Sequence, residues 1–333
     1  MLPPRNREDD HAVLIAGNAN PTLAAHIAKA YGETLADATV GRFSDGEIRV
    51  EINQNLRGRH VFLIQPTCPP VNDNLMELLV MADACRRASA CSVTAVVPYF
   101  GYARQERKSS SRSPITAKLV ADMMVSAGVD RLLSLDLHAP QIQGFFNTPV
   151  DNLYAMPLIA ADIQSKHDDL SNTVIVSPDV GGVRRARALA KELDCPIAII
   201  DKRRDNPNES AVLHVIGDVK GKNCILLDDM VDTAGTLVNA ANALVEKHGA
   251  AQISAYATHG VLSGPAVERI SNSKLAEVVL TDTIRHELPE SCKNIRFIHA
   301  APLLAEAMHR IITGESLSAL FTAPPAKALK QDS

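Results

Sequence analysis

The sequence predicts an α/β protein with mainly parallel sheets flanked by helices, built from one unit repeated along the chain. Three observations carry that expectation. Short apolar runs bounded by turn residues alternate with longer stretches of helical periodicity, which is the pattern of buried parallel strands and their crossover helices. Polar loops rich in Asp, Thr and Gly leave the ends of several apolar runs. The order of these pieces in residues 11–152 recurs in residues 153–321.

In chain order, Ala12–Gly17 reads as the first strand, and Pro21 opens a helix in whose first turn proline is well tolerated. Further strands are expected at Val61–Gln65, Ser92–Pro98, Arg131–Leu135, Thr173–Ser177, Ile197–Ile200, Cys224–Leu227, Ile253–Ala257, Val278–Thr281 and Ile295–His299. Helices are expected at Asn74–Ala88, Ile115–Ala127, Val183–Leu193, Leu237–Val245 and Gly264–Asn272. Three echoes suggest duplication. Val96–Tyr99 followed by Arg104 matches Ile199–Asp201 followed by Lys202, Leu135-Asp136 matches Leu227-Asp228, and Asn152–Ala160 matches the rhythm of Ala300–Ala307. The halves are expected to be domains 11–152 and 153–321, with 1–10 and 322–333 disordered.

The chain has 333 residues, enough for two domains that each bury a core. A net charge of −4 and a pI near 6.3 argue against a general nucleic-acid footprint, and the local basic clusters suit anionic small molecules better. No apolar run is long enough to span a membrane and residues 1–10 are too polar for a signal peptide, so a cytoplasmic protein is expected. The six cysteines show no Cys-x-x-Cys spacing and read as reduced structural thiols.

The most informative stretch is Cys224–Thr236. An apolar run, two acids and Asp232-Thr233-Ala234-Gly235-Thr236 lead into a helix, so the loop leaves the carboxyl end of a strand, where ligands of open α/β sheets bind. Unpaired N–H groups of the helix's first turn would hold a phosphate, while Asp228 and Asp229 would repel a bare phosphate but accept hydrogen bonds from a diol. Together they spell a sugar phosphate. The plainer reading makes Asp232 or Thr233 a helix cap and the acids a solvated loop.

Other stretches are weighed the same way. Lys202-Arg203-Arg204 follows a strand and precedes a turn-rich segment, as solvated cations or as charges that close over a polyphosphate. Arg104 and Gln105 lie in a basic loop that is either a linker or a nucleotide contact. His138 follows a strand and is either structural or functional. Asp179, at a strand-to-helix turn, offers the kind of oxygen ligand that Mg²⁺ bound to a polyphosphate requires. Phe43-Ser44-Asp45-Gly46-Glu47 is a hairpin turn whose aromatic and acids are equally suited to a purine.

From residue 17 to residue 321 the chain resembles the ribose-phosphate pyrophosphokinases. The blocks Phe43–Glu47, Pro70–Leu79, Gly101–Gln105, Asp136–Phe146, Ser177–Gly182, Asp201–Arg204 and Asp228–Thr236 look like that family's blocks in its order. The resemblance implies two tandem type I phosphoribosyltransferase-like domains, Mg²⁺ as cofactor, and transfer of the diphosphoryl group of ATP to ribose 5-phosphate with release of AMP. It implies that Asp232, Thr233, Ala234, Gly235 and Thr236 hold the 5-phosphate, with Asp228 and Asp229 on the ribose hydroxyls. Lys202 and Arg204 would act on the transferring group, Arg204 also near the sugar phosphate. Arg104, Gln105 and His138 would contact ATP, completed by Phe43, Asp45, Gly46 and Glu47 of a neighbouring subunit, while His138 and Asp179 would support the metal. A homohexamer activated by phosphate, inhibited by ADP and regulated near Ser316 and Ser318 is implied as well. Glu106, Ser113, Pro66 and Arg285 depart from the family's usual Asp, Glu, Ser and Pro. A phosphoribosyltransferase, which consumes the product, and a non-catalytic regulatory subunit are the competing readings.

Overall fold

The computed structural model describes residues 12–203 and 212–325. The described residues fall into two compact units, one formed by 12–154 with 283–285 and 300–325, the other by 155–282 with 286–299. The first contains β1 (Val13–Ala16), α1 (Pro21–Tyr31), the hairpin strands β2 (Ala38–Arg42) and β3 (Ile48–Ile52), β4 (His60–Ile64), α2 (Val71–Arg87), β5 (Ser92–Val97), α3 (Thr116–Ala127), β6 (Arg131–Leu135) and β7 (Val150–Leu153). Its main sheet is entirely parallel, in the order β1-β4-β5-β6-β7.

The second unit contains α4 (Met156–Lys166), β8 (Thr173–Ser177), α5 (Val183–Glu192), β9 (Ile197–Arg203), β10 (Val212–Ile216), β11 (Asn223–Val231), α6 (Gly235–Glu246), β12 (Gln252–Gly260), α7 (Ala266–Ser271), β13 (Leu275–Thr281) and β14 (Ile295–Ile298). Its sheet runs β10-β9-β8-β11-β12-β13-β14, parallel except for the β9–β10 hairpin. The last helix, α8 (Ala301–Thr313), lies in the first unit and packs against α1. No helix among the described residues is long and apolar enough to cross a membrane.

Local chemistry explains these elements. The Asn20 side chain caps α1 by accepting from Leu23 N at 3.1 Å, Pro21 starts the helix, and Gly32 ends it in the left-handed conformation. In α5 the buried Ala186, Leu189 and Ala190 follow the three- and four-residue spacing of one helix face, leaving Arg184 and Arg187 to solvent. β8 is buried along its whole length, as a central parallel strand requires. Burial also raises the Cys68, Cys85 and Cys224 thiols, which keeps them protonated and inert.

The duplication is visible in the topology, with a correction to the register of the echoes. Strands β1, β4, β5, β6 and β7 occupy the sheet positions of β8, β11, β12, β13 and β14, and each half inserts a hairpin after the helix that follows the first of these strands, α1 or α5. Asp136 at the end of β6 therefore corresponds to Asp282 after β13, not to Asp228. The hydrogen bonds agree: Asp136 N donates to Leu153 O of β7, and Asp282 N to Ile298 O of β14. The loop after β5, likewise, matches the one after β12 and not the basic segment after Ile200. The third echo stands, since α4 and α8 both follow the last strand of a half and carry proline in the first turn. The two helices are exchanged between the units, α4 lying in the second and α8 in the first.

Two further expectations are corrected. The strand expected to stop at Leu227 continues to Val231, because β12 extends beside it and pairs with Asp228, Met230 and Val231. The strand expected to stop at Ile200 continues through Lys202 and Arg203, which pair with Leu213 and Val212 of β10. The cations thus begin on a hairpin.

Candidate active site

The end of β11 and the start of α6 form the centre of the site. Asp228 and Asp229 are adjacent strand residues, Asp229 buried and Asp228 partly so. The Asp229 N–H donates to Asp228 Oδ1 at 2.8 Å, and the Arg185 guanidinium of α5 stands 3.8 Å from Asp228 and 3.6 Å from Asp229. Burial, and then the hydrogen bond and charge of Asp229, raise the Asp228 carboxyl well above the ordinary range, against the lowering by the Asp229 N–H and by Arg185. Two crowded carboxylates with a distant counter-charge are arranged to receive donor hydroxyls or a cation.

The turn that follows is small and tightly held. Ala234 sits at φ 60°, in the left-handed region, as the N-cap residue of α6, and its methyl group offers the helix no cap. The expected alternative, Asp232 or Thr233 as cap, is therefore not what the fold uses. The first turn of α6, a place suited to an anion, stands beside exposed Thr233 and Thr236 and partly exposed Asp232 and Gly235.

The loop between β8 and α5 reaches the same sheet edge. Asp179 is exposed; its Oδ1 accepts from Gly182 N at 2.8 Å and its carbonyl accepts from Ser177 Oγ at 2.7 Å. A Cβ on Gly182 would meet Ser177 Oγ at 2.8 Å, so glycine lets this loop close over the end of β8. The backbone of Lys202 lies in β9, while its side chain and all of Arg204 fall outside the described residues.

In the first unit, Arg104 and Gln105 lie on a short 3-10 turn, Ala103–Gln105, preceded by Tyr102 at φ 64°. The Tyr102 hydroxyl donates to Asn72 Oδ1, and the Thr116 hydroxyl donates to Gln105 Oε1. With Tyr99 and Gly101 these residues line a cleft of about 310 Å³. His138 is exposed just beyond β6, on a segment fixed by Leu137 N donating to Asn152 Oδ1 at 2.9 Å. Asn152 was read only as part of a repeat; nothing in its spacing signals that it braces the His138 loop.

The tip of the β2–β3 hairpin displays Phe43, 52% exposed, with exposed Asp45, Gly46 and Glu47. Ser316 and Ser318 follow α8, where Ser316 O accepts from Arg310 at 2.7 Å and Ser316 Oγ from Ser318 N at 3.2 Å. Sequence reasoning also missed Arg185 and Arg269, each of which reads as an ordinary surface charge on a helix.

Comparisons with known proteins place the chain in a family. Residues 12–128 match a family model described as the N-terminal domain of ribose phosphate pyrophosphokinase, and residues 203–322 match the phosphoribosyl synthetase-associated domain. The ribose-phosphate pyrophosphokinase of Agrobacterium fabrum is 57% identical over 309 residues, which span 92% of this chain and 99% of that protein. That of Bradyrhizobium diazoefficiens is 58% identical over 309 residues, 92% of this chain and 97% of its own length. The crystal structure of phosphoribosylpyrophosphate synthetase from Mycobacterium smegmatis superimposes with a TM-score of 0.85 at 41% identity, covering 92% of this chain and all of that one.

Proposed function

The chain belongs to the ribose-phosphate pyrophosphokinase family, and from that premise we infer its activity: transfer of the diphosphoryl group of ATP to the anomeric hydroxyl of ribose 5-phosphate. The anomeric oxygen attacks the β-phosphorus, the bond from that phosphorus to the α-phosphate oxygen breaks, and AMP leaves. The product is 5-phosphoribosyl 1-diphosphate, a precursor for nucleotide biosynthesis. The observation that carries this reading at the level of the site is the strand end with two crowded acids, followed at once by an uncapped helix N-terminus.

In this reading Asp228 and Asp229 accept hydrogen bonds from the ribose hydroxyls, and residues 232–236 hold the 5-phosphate through backbone N–H groups and the Thr233 and Thr236 hydroxyls. Lys202 and Arg204 neutralise charge on the transferring group, where help given in the transition state raises the rate. Arg104, Gln105 and His138 bind ATP, and the hairpin residues Phe43, Asp45, Gly46 and Glu47 complete the ATP site of a neighbouring subunit. The domains proposed are the duplicated halves, 11–152 and 153–321.

Mg²⁺ is the proposed cofactor. The Asp179 carboxylate fits a hard cation, being exposed with one oxygen held by a backbone N–H; His138, an exposed imidazole on a braced loop, is a proposed supporting residue. When bound, Mg²⁺ neutralises the polyphosphate. The chain's own residues hold the substrates and place the cationic side chains. A cytoplasmic homohexamer, activated by phosphate and inhibited by ADP with Ser316 and Ser318 near the effector phosphate, completes the proposal.

The test incubates the protein with Mg²⁺, ATP and ribose 5-phosphate and separates the nucleotides. AMP in equal amount to the sugar consumed is expected. Formation of ADP would indicate transfer of a single phosphoryl group and overturn the reading, as would no turnover at all.

A further inference from the structure

Three successive carbonyls enter the turn ahead of α6, and all three are tied to the same segment, 261–269. Val231 O accepts from Val261 N at 2.9 Å and Leu262 N at 3.0 Å, Asp232 O accepts from Ser263 N at 3.0 Å, and Thr233 O accepts from Arg269 Nη1 at 3.0 Å. In a planar trans peptide the C=O and N–H point to opposite sides. Anchoring these carbonyls on one side therefore turns the N–H groups of the same peptides, Thr233 and Ala234 among them, to the other. The first two anchors are backbone groups and need no particular side chain. The third depends on Arg269 alone.

That third peptide is also the one that most needs holding, because it leads into Ala234, whose left-handed conformation is disfavoured for an L-residue with a Cβ. Arg269 is well placed to do so. It lies on α7, where its neighbours Ala266 and Ile270 are fully buried, and Asn294 Nδ2 and Ser273 Oγ both donate to Ile270 O. A Cβ built on Gly235 would lie 3.5 Å from Arg269 Nη1, so the guanidinium rests against the first turn of α6. A cation at a helix N-terminus opposes the helix dipole, and only an anion bound at the same place turns that arrangement into a favourable one.

We propose that Arg269 is a positioning residue for the sugar phosphate: it fixes the Thr233–Ala234 peptide with its N–H toward the ligand and adds positive charge beside the 5-phosphate. The proposal rests on the reading of residues 232–236 as the 5-phosphate loop. Its test measures ribose 5-phosphate binding by calorimetry, both Michaelis constants, kcat and the melting temperature for wild type, Arg269→Ala and Arg269→Lys. Arg269→Ala is expected to weaken ribose 5-phosphate about tenfold, the scale of one hydrogen bond from a charged donor, with the ATP constant and the melting temperature unchanged. Arg269→Lys, which keeps the charge and one donor, should recover part of the loss. Unchanged ribose 5-phosphate binding in Arg269→Ala overturns the inference, as does an equal weakening of both substrates with a lowered melting temperature, which marks a purely structural role. A wild-type protein that fails to bind ribose 5-phosphate overturns the reading of the loop, and this inference with it.

Discussion

The pair β4 and α2 holds the same place in the first sheet as β11 and α6 in the second, yet their connecting loops end in opposite states. After β4 the chain continues Gln65-Pro66-Thr67-Cys68-Pro69-Pro70, with three prolines that carry no N–H, and the buried acid at this edge is Glu77 of α2. Glu77 is 4% exposed and fully engaged: Oε1 accepts from Asn18 N at 2.5 Å and Gln65 Nε2 at 2.8 Å, and Oε2 from Asn18 Nδ2 at 3.0 Å. The Gln65 carbonyl oxygen takes Ala19 N at 3.1 Å. At this edge the first half thus uses Glu77 and Gln65 to satisfy the amides of Asn18 and Ala19 after β1, and its β4–α2 loop carries prolines where the β11–α6 loop carries N–H groups. A carboxylate at such an edge marks structure when donors satisfy it, and a ligand site when its proton affinity is raised and its counter-charge stays at a distance, as at Asp228.

The largest effect is expected on the other pair of matched insertions, the hairpins β2–β3 and β9–β10. The second carries the cations. Lys202→Ala should lower kcat by about 10²-fold while sparing both substrates' binding, the scale of losing one electrostatic stabiliser of a transition state. Single-turnover measurement of AMP formation checks this. An unchanged rate with a large loss of ATP affinity would make Lys202 a binding residue and remove the contrast between the hairpins.

Asp228→Asn comes next. It should weaken ribose 5-phosphate by about 1.5–3 kcal/mol and leave ATP nearly untouched, since an amide presents donors to donor hydroxyls. The same substitution tests the raised carboxyl through pH. A carboxyl whose pKa is raised on folding binds more protons in the native than in the unfolded state, so stability falls as pH rises from the ordinary value of 3.8 through the raised one. Melting curves of the ligand-free wild type should show that decline, and Asp228→Asn should flatten it. Ribose 5-phosphate affinity should move the other way, strengthening with pH as the pair ionises.

Glu77→Gln probes the plugged counterpart. Its shape is kept, but one amide NH₂ now faces a donor in a buried site, at a cost of about 1–3 kcal/mol in stability. The constant for ribose 5-phosphate should not change. A shift in that constant comparable to the one from Asp228→Asn would mean that both halves contribute to one sugar site.

How much of this is readable in advance depends on where the physics is local. Strands such as β5, β6 and β8 are continuous apolar runs, because both faces of a central parallel strand are buried, and they were legible. The hairpin strand β3 alternates apolar and polar residues, Ile48-Arg49-Val50-Glu51-Ile52, as a half-buried strand does, and was passed over; β2 and the edge strand β10 carry no such alternation. The end of β11 was misplaced because acids signal a loop, whereas the ladder with β12 decides the matter from elsewhere in the chain. The strand, turn and helix of β11 and α6 were legible because they are consecutive. The Gln65–Glu77 plug and the Arg269 anchor were not, since each joins elements far apart in sequence through residues that look like helix surface.

The smallest effect concerns the first half's hairpin, where an aromatic stands in place of cations. Phe43 N donates to Glu47 O at 2.8 Å, Gly46 N to Phe43 O at 3.0 Å and Glu47 N to Asp45 Oδ1 at 3.1 Å, and Arg42 holds Gly46 O at 3.2 Å. Backbone and Asp45 close this turn, and Gly46 supplies its left-handed φ of 97°. The ring is displayed by the turn and does not hold it together. Phe43→Ala should therefore leave the melting temperature unchanged and weaken ATP by about 1 kcal/mol, the scale of one aromatic stacking contact, with ribose 5-phosphate unaffected. Mixing subunits decides whose ATP the ring serves. Phe43→Ala subunits keep Lys202, and Lys202→Ala subunits keep Phe43. If the hairpin completes a neighbour's site, co-assembled oligomers contain sites with both residues intact, and ATP affinity at the active sites returns toward wild type. If Phe43 serves its own subunit, every active site in the mixture carries the alanine, and the weakened ATP constant persists whatever the ratio of subunits.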